Sequence, residues 1–104
     1  MEIEYSTNKL QKILTDPRLI KKYYGNDYNK IVNRLSELAA ADNLAEIPET
    51  PPPRRHKLNG NLDGCWGISI SPNDRIIIKP IGNFDMNDLS SIKMVSIVDI
   101  QDYH

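Results

Sequence analysis

The spacing of apolar residues changes at a run of three prolines, positions 51–53, and this change constrains the fold more than any other feature of the sequence. Before the prolines, apolar residues between 26 and 41 recur every three or four positions, which predicts a long amphipathic helix. After them, apolar residues alternate with small or polar ones from 64 to 71, which predicts a half-buried strand. Helices followed by strands predict an α+β fold, with the N-terminal helices packed on one face of a small, mainly antiparallel sheet.

Shorter signals complete the predicted order of elements. Alternation at residues 2–5 predicts a short strand, and an apolar stripe at residues 10–14 predicts the first helix. Asp16 and Pro17 are typical of a second helix start, and Gly25 is typical of its end. The prolines predict an extended crossing from the helices to the sheet, because each fixes φ and restricts the residue before it. Strands are predicted over residues 55–58, 64–71, 75–80 and 92–100.

Composition limits the class of protein. The 104 residues fit one domain, 1–104, and the formal net charge of -1 excludes a protein that coats nucleic acid by bulk charge, although a local basic site stays open. The single cysteine, Cys65, cannot form an internal disulfide, which favours a reducing, cytoplasmic setting. The acidic, polar start is unlike a signal peptide, and no stretch approaches the roughly 20 apolar residues of a membrane span. One cysteine and two histidines form no zinc motif, so no metal or other cofactor is expected.

Cationic and titratable side chains cluster directly after the prolines, at Arg54, Arg55, His56 and Lys57. If this segment is a strand, Arg54 and His56 point to one side, and Arg55 and Lys57 point to the other. Two interpretations are open. The segment is either a solvated edge strand protected by its charges, or a phosphate site beside a general acid or base.

Two further places carry groups of the same kind. Arg75 precedes a short apolar run, where it either pairs with a surface carboxylate such as Asp74 or binds a phosphate. Asp102, Tyr103 and His104 follow a predicted strand at the end of the chain. One interpretation is a frayed end or a tag remnant. In the other, they are held at the sheet, where His104 is a proton donor, Tyr103 is a ring that stacks on a base and Asp102 is an orienting carboxylate.

Together these residues supply what metal-free RNA cleavage requires. An internal 2′-OH must lose a proton and attack the phosphate, and the departing 5′-oxygen must gain a proton. His56 and His104 can provide the base and the acid, in an order that the sequence leaves open. Arg75 and a neighbouring cation can stabilise the negative charge that develops on the phosphate.

The segment from His56 to Ile70 resembles the HigB-type toxins, the plasmid-maintenance killer branch of the RelE/ParE superfamily. That branch shows His-x-Leu-x-Gly, then Gly-x-Trp at the start of a strand, then an Arg that opens the next strand, and a final Asp-Tyr-His. The same features occur here at His56, Leu58, Gly60, Gly64, Trp66, Arg75 and residues 102–104. The helical segment over 35–44 is similar too, so the resemblance spans most of residues 28–104.

The resemblance implies a small toxin of a type II toxin–antitoxin system, with the RelE-like fold, that cleaves mRNA in the ribosomal A site without a metal. The catalytic residues that it implies are His56, Arg75, Asp102, Tyr103 and His104. The RNA-binding residues that we expect are Arg54, Arg55, Lys57 and Lys79. The implied partners are the ribosome, mRNA and a helix-turn-helix antitoxin of the HigA type, with operator DNA bound only through the antitoxin and no membrane contact.

The chain departs from the HigB-type pattern in its charge and in one loop. HigB-type toxins are usually basic and this chain is not, so it has fewer cations for binding RNA by counterion release. The loop over 82–91 also looks longer than the usual connection. Two other functions stay open, namely a non-enzymatic inhibitor like the gyrase-binding ParE toxins, and a toxin-derived protein that only binds its antitoxin. Tyr103 and His104 favour the nuclease, whereas the low positive charge favours the antitoxin-binding protein.

Overall fold

Three helices lie between the first strand and the other four in the structure, a computed structural model that describes residues 1–102. The elements are β1 (Glu2–Tyr5), α1 (Asn8–Leu14), α2 (Pro17–Tyr24), α3 (Tyr28–Ala40), β2 (His56–Lys57), β3 (Trp66–Ser69), β4 (Asp74–Pro80) and β5 (Met94–Asp102). Single 3₁₀ turns occur at Gly25–Asp27, Leu44–Glu46, Gly60–Leu62 and Leu89–Ser91. The predicted helices and strands are therefore present in the predicted order.

The helices begin and end at the residues that local chemistry favours. Thr7 caps α1, and its Oγ1 accepts a hydrogen bond from the N–H three residues on at 3.1 Å. Asp16 caps α2, and its carboxylate accepts from the Arg18 N–H at 3.0 Å. Hydrogen bonds from the side chain and the N–H of Arg18 also lower the pKa of Asp16. Gly25 ends α2 with a φ of 49°, which glycine adopts without a steric cost.

The sheet has the strand order β1-β5-β4-β3-β2. β1 runs parallel to β5, and the other neighbouring pairs are antiparallel. β5, the last of the strands among residues 1–102, therefore lies between β1 and β4. Its register against β4 shifts once, because Ile77 is opposite Asp99 and Ile78 is opposite Ile97, which leaves Val98 as the extra residue of a β-bulge.

The helices cover one face of the sheet, named here the helix face. The fully buried core between the helices and this face includes Ile31, Leu38, Ile68, Ile76, Ile78 and Ile97. Trp66 packs against this core on the same face as Ile68, as its alternation predicts. On the opposite face, named the open face, Leu58, Cys65 and Ile77 form a small buried cluster. This face, which the helices leave uncovered, is where a large substrate can approach.

The longest helix among residues 1–102 is α3, with 13 residues. Across that same range, none of the helices combines the length and the apolar character that crossing a membrane requires.

The proline segment differs from its prediction. Residues 51–53 lie in a turn that contains one cis bond, rather than in an extended crossing. The N–H groups of Arg54 and Arg55 donate to the carbonyls of Thr50 and Pro48 at 3.1 and 2.9 Å. These bonds fold the segment back on itself and give Arg54 a φ of 42°. The strand predicted after the prolines is consequently reduced to the two residues of β2.

Candidate active site

Alternation along the strands places one set of side chains on the open face. Because Ile68 and Ile76 point to the helices, residues 67, 69, 75 and 77 point the other way. The register aligns His56, Gly67, Ile77 and Asp99 in one row, and Ser69, Arg75 and Gln101 in a second row. His56 and Arg75 are thus two strands and two residues apart, about 10 Å across and 7 Å along the sheet between backbones. Two long side chains at this separation can contact one phosphodiester from two sides.

The imidazole of His56 is fixed by Arg54, which precedes β2, and by Gly67 on β3. Its Nδ1 lies 2.8 Å from the carbonyl oxygen of Arg54. A carbonyl only accepts hydrogen bonds, so Nδ1 carries a proton, and Nε2 is the basic nitrogen of the neutral ring. The ring lies against Gly67, where an added Cβ would stand 2.8 Å from both Cε1 and Nε2. Gly67 therefore provides the space that His56 occupies, and the resulting tautomer suits a general base.

Arg75 lies at the start of β4, in the second row of the open face. Its Nη2 donates to Oε1 of Gln101 at 3.2 Å, across the β4–β5 pair. This bond orients a planar guanidinium whose donors match the oxygens of a phosphate in pairs. Arg75 thus has a position and an orientation from which it can contact a phosphate, and its role as a phosphate ligand stays a prediction.

Two of the predicted RNA-binding cations also lie on or beside the open face. Arg54 is exposed, and its Nε is 3.5 Å from Oγ of Ser69, which stands opposite Arg75. Lys79 is exposed on β4, four residues after Arg75 and about 13 Å along the strand on the same face. These positions suit contacts with phosphates on either side of Arg75.

The other two predicted RNA-binding cations are not on the open face. Lys57 is exposed, but it pairs with Trp66, whose side chain belongs to the helix face. Arg55 is only 7% exposed, and its Nε donates to the carbonyl of Ile47 at 2.8 Å. Its guanidinium also lies 5.3 Å from the ring centroid of Trp66 and 3.4 Å from the carboxylate of Glu49. A buried side chain with these partners cannot reach RNA, so the prediction for Arg55 is wrong: it ties the proline segment to the sheet.

The C-terminal part of the predicted site is described only in part. Asp102 ends β5, next to Gln101 in the chain and opposite Asp74 in the register. Tyr103 and His104 lie outside the described residues, and their roles stay predictions.

Two residues that shape this site were missed by the sequence analysis. Gly67 belongs to the alternating strand predicted over residues 64–71, and a glycine inside a strand is typical of close approach by another group. Gln101 orients Arg75, and finding it requires the β4–β5 register, which no local pattern contains.

The charge of a carboxylate near the end of β5 acts on the phenol of Tyr24. β1 covers β5 only as far as Ile97, and Asp99 is exposed just beyond that point. Burial raises the pKa of Tyr24, and the charge of Asp99 raises it further. The Tyr24 phenol therefore stays protonated throughout the neutral range.

Comparisons by sequence find no counterpart: no protein-family model matches this chain, and no curated protein does. Similarity appears in the solved structures. The YoeB/ParE toxin from Agrobacterium tumefaciens has a TM-score of 0.61 and 10% identity, with 100% of both chains covered. YafQ from E. coli strain BL21(DE3) has a TM-score of 0.62 and 16% identity, over 97% of this chain and 91% of that one.

A third structure is the heterotetrameric YoeB–YefM toxin–antitoxin complex from Staphylococcus aureus, with a TM-score of 0.55 and 18% identity over 100% of this chain and 97% of that one. Each of these chains is matched over nearly its whole length. The likeness confirms the predicted α+β fold, with helices on one face of a mainly antiparallel sheet, as the fold of these toxin structures. At 10–18% identity it establishes the fold alone.

Proposed function

We propose that this chain is the toxin of a type II toxin–antitoxin system, of the HigB type, and that it is a ribosome-dependent mRNA endoribonuclease that needs no metal. One observation carries the proposal. His56, held with its proton on Nδ1, shares an uncovered sheet face with Arg75, which Gln101 orients. The fold of the YoeB/ParE and YafQ structures supports the toxin role, and the YoeB–YefM complex supports a partnership with an antitoxin.

In the proposed reaction, Nε2 of His56 accepts the proton of an internal 2′-OH. The 2′-oxygen then attacks the adjacent phosphorus while the bond from phosphorus to the 5′-oxygen breaks, which leaves a 2′,3′-cyclic phosphate and a 5′-hydroxyl end. Arg75 contacts the non-bridging oxygens, where negative charge increases in the transition state. By the resemblance to HigB-type toxins, His104 or Tyr103 returns a proton to the departing oxygen, and Asp102 orients one of them.

Substrate binding in this proposal depends on few cations. Arg54 and Lys79 contact phosphates that flank Arg75, and the low positive charge of the chain leaves the ribosome to present the mRNA. Each phosphate contact to a single strand contributes about −0.7 to the slope of log affinity against log salt. We therefore expect a slope of only about −2 for the isolated protein with short RNA.

The proposal is tested by mapping mRNA ends by primer extension in a reconstituted translation reaction. The wild type is compared with His56→Gln, Arg75→Gln and Lys93→Gln. Lys93 is an exposed control at the opposite end of β5 from Gln101. We expect cuts within translated codons that carry cyclic phosphate ends. His56→Gln should reduce their rate by about 10²- to 10⁴-fold, and Lys93→Gln should leave it unchanged.

Two results would overturn the nuclease. Translation that stops without cuts would identify an inhibitor that only binds. A folded wild-type protein without any effect on translation would exclude the nuclease, and DNA supercoiling by gyrase would then be the next activity to assay. The antitoxin part has its own measurement, which is copurification with the helix-turn-helix protein expected from a neighbouring gene. A His56→Gln variant that loses cleavage but keeps this partner separates catalysis from antitoxin binding.

A further inference from the structure

Beside the candidate active site, a cleft of about 390 Å³ lies between the proline turn, the β3–β4 turn and the start of α3. This volume lies within the range of about 300–1,000 Å³ that is typical of small-ligand sites. Its walls include three proline rings, those of Pro51, Pro52 and Pro72. Two cations, Lys30 and Arg54, stand among the lining residues. The cleft thus combines flat apolar surfaces with positive charge.

The charge of the cleft favours an anion. All of its lining residues lie within the described part of the chain, and none of them is a carboxylate. The nearby Asp74 accepts a hydrogen bond from the hydroxyl of Ser71 at 3.0 Å, so this carboxylate is engaged at the turn. In a chain whose net charge is -1, two cations beside an apolar wall form a local anion site.

Ser69 belongs both to the cleft and to the open face. Ser69 lines the cleft, accepts from Arg54 at 3.5 Å and stands opposite Arg75 in the β3–β4 register. Adjacent strands lie about 5 Å apart, so the cleft begins one strand away from Arg75. A polymer that has one phosphate at Arg75 therefore reaches the cleft with its neighbouring unit.

The cleft is held in shape before any ligand binds. The buried Arg34 donates from Nε to the Ser69 carbonyl at 3.1 Å, and the Ser69 N–H donates to the Pro53 carbonyl at 2.7 Å. Arg54 adopts a φ of 42°, an uncommon conformation for a residue with a side chain. Walls fixed in this way lower the entropy that a ligand loses on binding.

We propose that this cleft binds one unpaired nucleotide of the RNA substrate, directly beside the phosphate held by Arg75. The base packs against the proline rings, and its phosphate lies between Arg54 and Lys30. The inference rests on the proposed nuclease function, and it adds a substrate-positioning role for Lys30 and the proline turn. A nucleotide fits the cleft because it joins a flat base to an anionic phosphate. In RNA, the neighbouring phosphate of the same strand is then the one held at Arg75.

The test is an amide NMR titration of the full chain with a 2′-O-methyl RNA hexanucleotide, which cannot be cleaved because its 2′-oxygens carry no proton. We expect the amide signals of Lys30, Ile70 and Ser71 to shift together with that of Arg75. Lys30→Gln should weaken binding about fivefold and make the salt slope shallower by about 0.7, because one phosphate contact to a single strand is lost. Lys93→Gln, the matched exposed control, should change neither quantity.

Shifts confined to the Gly67 and Arg75 region, or equal affinities and salt slopes for Lys30→Gln and the wild type, would overturn the cleft as a nucleotide site. Neither result bears on the nuclease, which primer extension judges separately. Conversely, a wild type that fills the cleft with RNA but makes no cuts in translated mRNA would refute the nuclease and leave the cleft as an RNA site. An absence of any shift at millimolar RNA would refute the cleft.

Discussion

Replacing Arg55 with methionine distinguishes the structural role of this side chain from the RNA contact that the sequence analysis expects. Methionine keeps most of the apolar stem and removes the donors. The Ile47 carbonyl then loses its 2.8 Å partner, which costs about 1–3 kcal/mol for a buried acceptor. Loss of the cation above the Trp66 ring adds about 1 kcal/mol. The Glu49 pair contributes close to nothing, because that carboxylate is 76% exposed.

Relief from burying a guanidinium offsets part of these costs, so we expect Arg55→Met to lower the free energy of unfolding by about 2–3 kcal/mol. Domains of this size are stable by only about 5–15 kcal/mol, so this change is large. The assay is urea unfolding followed by the fluorescence of Trp66, the single tryptophan. The midpoint should fall while the slope m stays constant.

The matched control is Arg54→Met, which removes an exposed cation from the neighbouring position. It should change stability by less than about 0.5 kcal/mol and weaken RNA binding instead. An Arg55→Met variant that unfolds at the wild-type urea concentration and loses RNA affinity would contradict the structural role, because Arg55 would then be a ligand of RNA rather than part of the fold.

Three further predictions concern the site and its surroundings. Gly67→Ala should lower the single-turnover cleavage rate at least tenfold while shifting the urea midpoint little, because the new Cβ displaces the His56 ring; an unchanged rate would refute the positioning role. Arg54→Gly should raise the free energy of unfolding by about 0–1 kcal/mol, because glycine removes the steric cost of the left-handed backbone but adds conformational entropy to the unfolded chain. The variant should still weaken RNA binding, and lower stability would show that the φ of 42° is unstrained. Absorbance at 295 nm should show Tyr24 ionising above the usual pH of about 10, and Asp99→Asn should lower the pKa of Tyr24. Because Tyr24 loses its proton at a lower pH in the unfolded chain than in the folded one, the free energy of unfolding should fall as pH rises above about 10. A Tyr24→Phe variant should lose less stability over the same pH range.

The helical half of the fold could be predicted because its signals are local. Thr7, Asp16 and Gly25 act on the backbone within one turn, and the stripe of apolar residues in α3 follows the period of the helix itself. The proline turn could not be predicted in the same way. Its shape depends on hydrogen bonds from Arg54 and Arg55 to carbonyls four and seven residues away, and proline propensity alone favours an extended chain.

The candidate site was predicted as a set of residue types rather than as a geometry. His56 and Arg75 were identified by their chemistry, and the register then placed them on one face. Arg55 was misassigned because charge alone does not show whether a guanidinium is solvated or buried against a ring. Gln101 was missed because the β-bulge at Val98 sets which residue of β5 stands opposite which residue of β4.

The place of β5 in the sheet has a consequence for the order of folding. It is the last strand among residues 1–102, yet it pairs with β1 as well as β4, and the Ser6 hydroxyl donates to the Val98 carbonyl 92 residues away. Such distant contacts form late, because the loop that they close is long. A nascent chain that ends before β5 has an unclosed core and lacks the glutamine that orients Arg75. If the chain is the proposed toxin, the ribosome that synthesises it meets no assembled nuclease until synthesis of the last strand is complete.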